Sequence, residues 1–337
     1  MEILFLNPVF KEAIWGGKLL KEFGYEQATD KTGECWGISA HKSGDCTIAN
    51  GEFEGKTLSW VYENHRELFG NIQDNIFPLL VKIIGAEDDL SIQVHPNDEY
   101  AAVHENGSLG KTECWYILDC KEDANIVIGH HAKDKKELAD MIHEGRWNEL
   151  IRTIPIKKGD FFQINPGCLH AIKGGTLLIE TQQSSDITYR VYDYDRLSNG
   201  KPRELHVQQS IDCIEAPHHD YDGKITVENE GDLTKTTLVK CDFYTLEKWD
   251  VAGKYKFTMD KPFMNVSVIN GEGEINGSKI TKGNHFIIFL FHGLLLPFYG
   301  GLSFRFHIFF CFPDACLYAL SQLCGNENLM VFLIHFV

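Results

Sequence analysis

Residues 91–118, SIQVHPNDEYAAVHENGSLGKTECWYIL, decide how the rest of the chain is read. Gln93 and His95 stand two apart in the apolar run LSIQVHP, so on a strand they leave from the same face. Lys111 and Glu113 repeat that spacing in the next predicted strand. Far downstream, residues 159–170, GDFFQINPGCLH, add an acidic turn, a short strand, a tight Pro-Gly turn and His170. In small antiparallel barrels, hairpins of this kind bring their side chains to one point inside the barrel. Two imidazole nitrogens, one amide oxygen and one carboxylate make a nitrogen and oxygen cage that suits zinc better than calcium or a thiolate centre.

A chain of 337 residues buries a substantial core and predicts about two domains. Its formal charge of −16 argues against nucleic acid or an anionic membrane surface as the main partner, because both would be repelled. An anionic substrate would therefore need local positive charge. The ten cysteines are scattered without a CxxC pair, and MEILFLNPVF lacks the basic and long apolar regions of a signal peptide. Reduced thiols in a cytoplasmic protein are the expectation.

Taken in order, residues 1–55 read as short strands and turns, and the distinctive words are WGG at 15–17 and GECWGISAH at 33–41. Helical spacing of Leu58, Val61, Leu68 and Phe69 predicts a helix over 56–69 that stops at Gly70. FPLLVKII at 77–84 is a mostly apolar strand, which feeds through Glu87, Asp88 and Asp89 into the ligand strand and gives it a rigid platform. A strand is expected at 125–129, two short helices broken near Gly145 within 133–154, and a strand at 176–183 carrying Glu180. A helix over 203–214 closes this half, with Pro217 beyond it. From about Asp220 onward, short strands and glycine turns suggest a second, smaller barrel without metal ligands.

The end of the chain has another composition. Residues 286–337 hold three charged residues, Arg305, Asp314 and Glu327, and eleven of the 22 phenylalanines. The uncharged run 286–304 approaches membrane-spanning length, but Pro297, Gly300 and Gly301 interrupt it and no membrane association is expected. A shifted reading frame or a missed boundary near residue 289 is the favoured account of this tail. The expected division is thus a catalytic domain at 1–215, a ligand-free β domain at 216–288 or onward to 337, and the atypical tail at 289–337.

Four words in order, LSIQVHPND, GKTECWYIL, PGCLHAI and ETQQSSDITYRVYDYDR, resemble type I mannose-6-phosphate isomerase (phosphomannose isomerase) in its compact form, over roughly the first 285 residues. The large helical domain of longer relatives has no room between Glu113 and His170. The resemblance implies a mainly β fold: a cupin-like, jelly-roll catalytic barrel with a few helices, plus a second smaller barrel. It also implies one Zn2+ per chain on Gln93, His95, Glu113 and His170, with Ser91 and Lys111 near a substrate phosphate. Arg190, in the pattern Glu-x9-Arg from Glu180, corresponds to the family's active-site arginine. Glu34 belongs to a Glu-x-Trp word beside the pocket, where Trp36 itself reads as packing.

The implied activity is interconversion of mannose 6-phosphate and fructose 6-phosphate through an enediol(ate). Zinc on two neutral histidines, a neutral glutamine and a carboxylate keeps a charge of about +1, suited to charge developing on two adjacent oxygens. Glu180, a histidine near the metal and a zinc-bound hydroxide all compete as the proton-transferring base, with Glu180 placed first. Two other classes remain open on the same scaffold: an iron-dependent cupin oxygenase and a non-catalytic sugar-phosphate-binding protein. Metal content and oxygen uptake separate the first, and binding without turnover the second. The partner expected is a small sugar phosphate, and the sequence sets no oligomeric state.

Overall fold

A computed structural model describes residues 3–198, 200–257, 259, 261–289, 296–299 and 306–313. The chain is mainly β, as expected, and its N-terminal half is built on two antiparallel sheets. One has six strands, in the order Phe161–Ile164, Glu113–Cys120, Thr176–Gln183, Leu79–Ala86, Thr32–Ile38 and Val9–Gly17. The other has five, in the order Ile151–Pro155, Asn125–His130, His170–Ala171, Ile92–Val94 and Tyr189–Tyr192. Trp15, Ile84, Trp115, Ile117, Ile126 and Leu178 fill the space between them.

The six-stranded sheet is covered on both sides, which explains sequences such as LLVKIIGA, buried at every position. Alternation divides each strand between two cores. Val81, Ile83, Cys114, Leu118, Leu177 and Ile179 join a core shared with the C-terminal half. Ile84, Trp115, Ile117 and Leu178 face the barrel interior. Lys82, Glu113 and Glu180 have the interior parity, so the strands that build the shared core also aim charged side chains inward.

The predicted 56–69 helix is a helix at Leu58–Asn64 followed by a 3-10 turn at Arg66–Phe69. Its start is fixed by Thr57, whose hydroxyl accepts from the Trp60 amide at 3.2 Å. Two helices flank Gly145, at Lys135–His143 and Trp147–Leu150. The helix expected over 203–214 is confined to Val207–Cys213. Residues 203–206 are not helical, and the His206 amide donates to Arg190 O at 2.7 Å. A helix at Asp98–His104, capped by Asn97, lies between the ligand strands and carries no periodic apolar stripe that would have announced it.

The C-terminal half centres on an eight-stranded sheet. Ile3–Asn7, expected in the first barrel, instead joins this sheet, pairing Ile3 with Ile288, Leu4 with Ile287 and Phe5 with Phe286. Its apolar residues are needed on both sides: Leu4 and Leu6 enter the shared core and Ile3 the C-terminal one. Beyond Phe289, which ends the His285–Phe289 strand, the compositionally distinct tail lies outside the described residues except for two strands. The Phe306–Pro313 strand runs between Tyr244–Val251 and Phe263–Asn270, and Leu296–Tyr299 joins a four-stranded sheet. Among the described residues, no helix is long and apolar enough to cross a membrane.

Candidate metal centre and active site

His95, Glu113 and His170 converge inside the first barrel, each at most 1 % exposed, with candidate ligand atoms within 4.8 Å of one another. They arrive from different elements. His95 follows the Ile92–Val94 strand, Glu113 opens its strand, and His170 begins a two-residue strand that pairs with Gln93. The tight turn before His170 uses Gly167 at a φ of 87°, a left-handed conformation that other residues adopt only at a cost.

The geometry selects the coordinating atoms. His95 Nδ1–H donates to Ile187 O at 2.8 Å, and His170 Nδ1–H donates to Cys168 O at 2.9 Å. Both Nε2 lone pairs therefore point inward, 3.2 Å apart. Each Nε2 lies 3.4 Å from a different oxygen of Glu113, and neither of these carboxylate oxygens has a well-aligned hydrogen bond. Gln93 brings its amide to 3.3 Å from His170 Nε2, and rotation of that amide by half a turn presents its oxygen instead. Electron-pair donors crowded in this way repel one another unless positive charge stands among them, which the Lys111 ammonium supplies for Glu113 Oε2 and His95 Nε2 but not for His170 Nε2 or Gln93. The set fits a divalent ion with nitrogen and oxygen ligands, and the two backbone carbonyls orient the imidazoles as metal-site partners do.

Lys111 contributes positive charge at the same place. Its ammonium lies 2.7 Å from Glu113 Oε2 and 3.1 Å from His95 Nε2. Lys111 precedes its strand rather than belonging to it, and it is held by its amide bond to Pro96 O at 3.0 Å. Burial is the largest influence on Glu113 and acts to raise its pKa. Lys111, His95 and His170 together outweigh it and hold the carboxyl well below the usual carboxylate range. Burial, then Lys111, pushes His95 down to about 3, and burial lowers His170 as well. Both imidazoles are accordingly neutral, the form that binds metal.

Beside the cage lies a cavity of about 170 Å³ lined by Glu34, Ser91, Gln93, Lys111, Glu180 and Arg190, together with Lys82 and Arg203. Every expected substrate-side or catalytic residue therefore meets at one place. Arg190 stands opposite Gln93 in the sheet, and its Nε reaches Ser91 Oγ at 3.3 Å. Glu180 accepts from Trp115 Nε1 at 2.9 Å and lies 3.3 Å from the Lys82 ammonium. Burial, then the negative charge of Glu113, raises the pKa of Glu180. Trp36 is buried, as expected of a packing residue, and its Nε1 donates to Glu34 Oε2 at 2.5 Å.

Sequence reasoning missed Lys82 and Arg203. Lys82 is 7 % exposed at its side chain and lies between Glu180 and, at 3.7 Å, Glu34. Burial acts against its charge, but Glu34, Glu180 and Glu113 raise its pKa. A lone lysine inside LLVKIIGA was the available signal, since a charge on a strand buried throughout requires partners. Arg203 is held in a fork by Asp193, at 2.7 and 2.5 Å. The His218 and His219 pair makes exposed contacts to Asp220 and Glu215. It joins no group of three metal-ligating side chains among the described residues.

An antiparallel two-sheet barrel with two histidines and a glutamate buried at its centre defines a cupin-type protein with a candidate metal centre. The family model for the catalytic domain of type I phosphomannose isomerase matches residues 3–148, and that for the mannose-6-phosphate isomerase cupin domain matches residues 234–291. The chain belongs to the type I phosphomannose isomerase family. It is 50% identical over 292 residues to mannose-6-phosphate isomerase ManA of Bacillus subtilis, covering 85% of this chain and 93% of that protein. It is 46% identical over 293 residues to mannose-6-phosphate isomerase of Streptococcus mutans, covering 85% and 92%. The crystal structure of the mannose 6-phosphate isomerase from Bacillus subtilis superposes with a TM-score of 0.88 at 45% identity, covering 92% of this chain and 99% of that one. The apo form of the Salmonella typhimurium enzyme shares the fold, with a TM-score of 0.71 at 14% identity over 93% of this chain and all of that one.

Proposed function

We propose that the protein is a zinc-dependent isomerase interconverting mannose 6-phosphate and fructose 6-phosphate in the cytoplasm. The observation that carries this reading is the buried convergence of His95, Glu113 and His170 beside a cavity lined by both carboxylates and cations. Gln93 is the fourth ligand. The ion, when bound, supplies a Lewis acid for the two neighbouring oxygens on which negative charge develops.

The chain's own residues supply binding and proton transfer. Lys111 and Ser91 contact the phosphate, and Glu34 contacts the sugar. Arg190 presents a planar fork toward the reacting oxygens, held in place by its bond to Glu204 O at 2.8 Å. Glu180 takes the proton from the carbon beside the carbonyl and returns it to the neighbouring carbon. Its raised pKa brings the carboxylate nearer to neutrality and makes it a better base. The catalytic unit is the barrel contained in residues 1–215, with the following β domain packed against it.

The test is a coupled assay with mannose 6-phosphate on purified protein, before and after chelation and after zinc is restored, beside Glu113→Ala and Glu180→Gln. Chelation and Glu113→Ala should each abolish turnover, and zinc should restore the wild type alone. Glu180→Gln should keep the metal and lose about 10²–10⁴ in kcat. The wild-type rate should fall on the acid side as Glu180 protonates, at a higher pH than for an unperturbed glutamate. Undiminished activity after exhaustive chelation, or in Glu113→Ala, would overturn the reading.

A further inference from the structure

The carbonyl that orients His95 belongs to a segment tied to a distant hairpin. Ile187 O accepts from His95 Nδ1–H at 2.8 Å, and Ile187 sits in the turn between the Thr176–Gln183 and Tyr189–Tyr192 strands. The near side of that turn is held both by an internal bond and by bonds to Pro78 and Leu109. Gln182 Nε2 donates to Ser185 O at 2.5 Å, Ser184 N donates to Pro78 O at 2.9 Å, and Ser185 Oγ donates to Leu109 O at 3.1 Å. Residue 186 is tied to a separate part of the chain. Ser43 Oγ donates to Asp186 Oδ2 at 2.8 Å.

Ser43 lies in the turn between the two-residue strands Ala40–His41 and Gly44–Asp45. The Ser43 amide donates to His41 Nδ1 at 3.2 Å. His41 therefore carries its proton on Nε2, which points at Asp186 Oδ1 from 3.6 Å. The hairpin is itself anchored to the pocket wall. Lys11 Nζ donates to Ser43 O, and the His41 ring meets the face of Trp36 edge-on at 5.9 Å. Trp36 in turn donates to Glu34. A continuous set of contacts thus runs from the pocket-lining strand through the 40–45 hairpin and Asp186 to the carbonyl on His95.

We propose that Asp186 is a positioning residue for the metal centre. It holds the 184–188 turn so that Ile187 O stays on His95 Nδ1, which keeps His95 Nε2 aimed into the cage. The inference rests on the metal-centre reading above and adds a determinant that touches neither metal nor substrate. Partners that orient a ligating histidine are worth about 10–100-fold in metal affinity. Asp186 acts one bond further out, so the lower end applies. Its side chain is 42 % exposed, so its hydrogen bond adds little to global stability. Affinity and stability should separate.

Metal-free full-length protein is titrated with Co2+ against a chromophoric chelator, and the visible Co2+ absorption is recorded. Asp186→Ala and Ser43→Ala should each weaken Co2+ binding about tenfold and alter the absorption band, while the Tm of the metal-free protein moves by less than about 2 °C. Asp186→Asn keeps an acceptor oxygen for Ser43 and should bind within about twofold of wild type. Asp30→Ala, an exposed carboxylate away from the site, serves as the control. Should Asp186→Ala fold poorly, Ser43→Ala alone decides the matter. Wild-type affinity in Ser43→Ala would overturn the clamp while leaving the metal centre intact. Failure of the wild type itself to bind Co2+ would overturn both.

Discussion

Lys82 is a buried charge that the pocket's carboxylates balance. It stands between two carboxylates, 3.3 Å from Glu180 and 3.7 Å from Glu34, with 7 % of its side chain exposed. Removing it strands Glu180 in a site that already raises its pKa. Breaking a buried pair at one partner costs about 3–5 kcal/mol, because the remaining charge loses its compensation. Lys82→Met should therefore lower the unfolding free energy by about that amount, and Lys82→Met with Glu180→Gln should recover more than about 1 kcal/mol of it. Denaturant melts of the two single variants and the double variant close the cycle. Strict additivity would show that the pair is not coupled. The same residue marks the limit of reading the sequence. Gln93, His95, Glu113 and His170 were legible because each sits in a word of recognisable spacing. Lys82 had only its surroundings to announce it, and its partners arrive from strands beginning at Thr32 and Thr176.

At the scale of the element, the strands of the six-stranded sheet serve two purposes through parity alone. Ile179 and Glu180 are neighbours on one strand. Ile179 is 1 % exposed in the core shared with the C-terminal half, whereas Glu180 faces the pocket. Ile179→Ala should cost about 2–5 kcal/mol of stability through lost burial and a residual cavity. Because the side chain points away from the site, KM for mannose 6-phosphate should stay within about threefold. A denaturation curve and a steady-state assay on one preparation check both halves. A large change in KM would mean that the sheet transmits packing defects across its thickness. These strands were readable as strands because β-branched and aromatic residues fill them. Which face each side chain took was not readable, since a sheet covered on both sides gives a nearly continuous apolar run in place of alternation. The 203–214 segment failed for a different reason. Its first residues lie outside the helix, and the His206 amide bonds Arg190 O, a contact between distant parts of the chain that competes with local helical preference.

For the whole molecule, the informative place is the seam between the two halves, where His285 of the eight-stranded sheet meets Gly37 of the catalytic one. A Cβ on Gly37 would stand 2.3 Å from the His285 ring, so only glycine admits this approach. The Tyr25 hydroxyl hydrogen-bonds with His285 Nε2 at 2.7 Å, and Ser267 Oγ hydrogen-bonds with His285 Nδ1 at 2.8 Å. A neutral imidazole satisfies both partners, one from each half. Burial pushes its pKa down from 6.5 to about 4. The unfolded chain thus takes up the proton first as pH falls, so the stability contributed by the neutral ring is complete above about pH 6.5 and is lost progressively toward pH 4. A shift of this size corresponds to roughly 3 kcal/mol. His285→Gln, which does not titrate, should be less stable than wild type at pH 7.5, and the gap should narrow steadily as pH drops toward 4. Denaturant midpoints taken across that range test the idea. Two curves that fall in parallel would place the acid sensitivity elsewhere and reduce His285 to a packing residue at the seam.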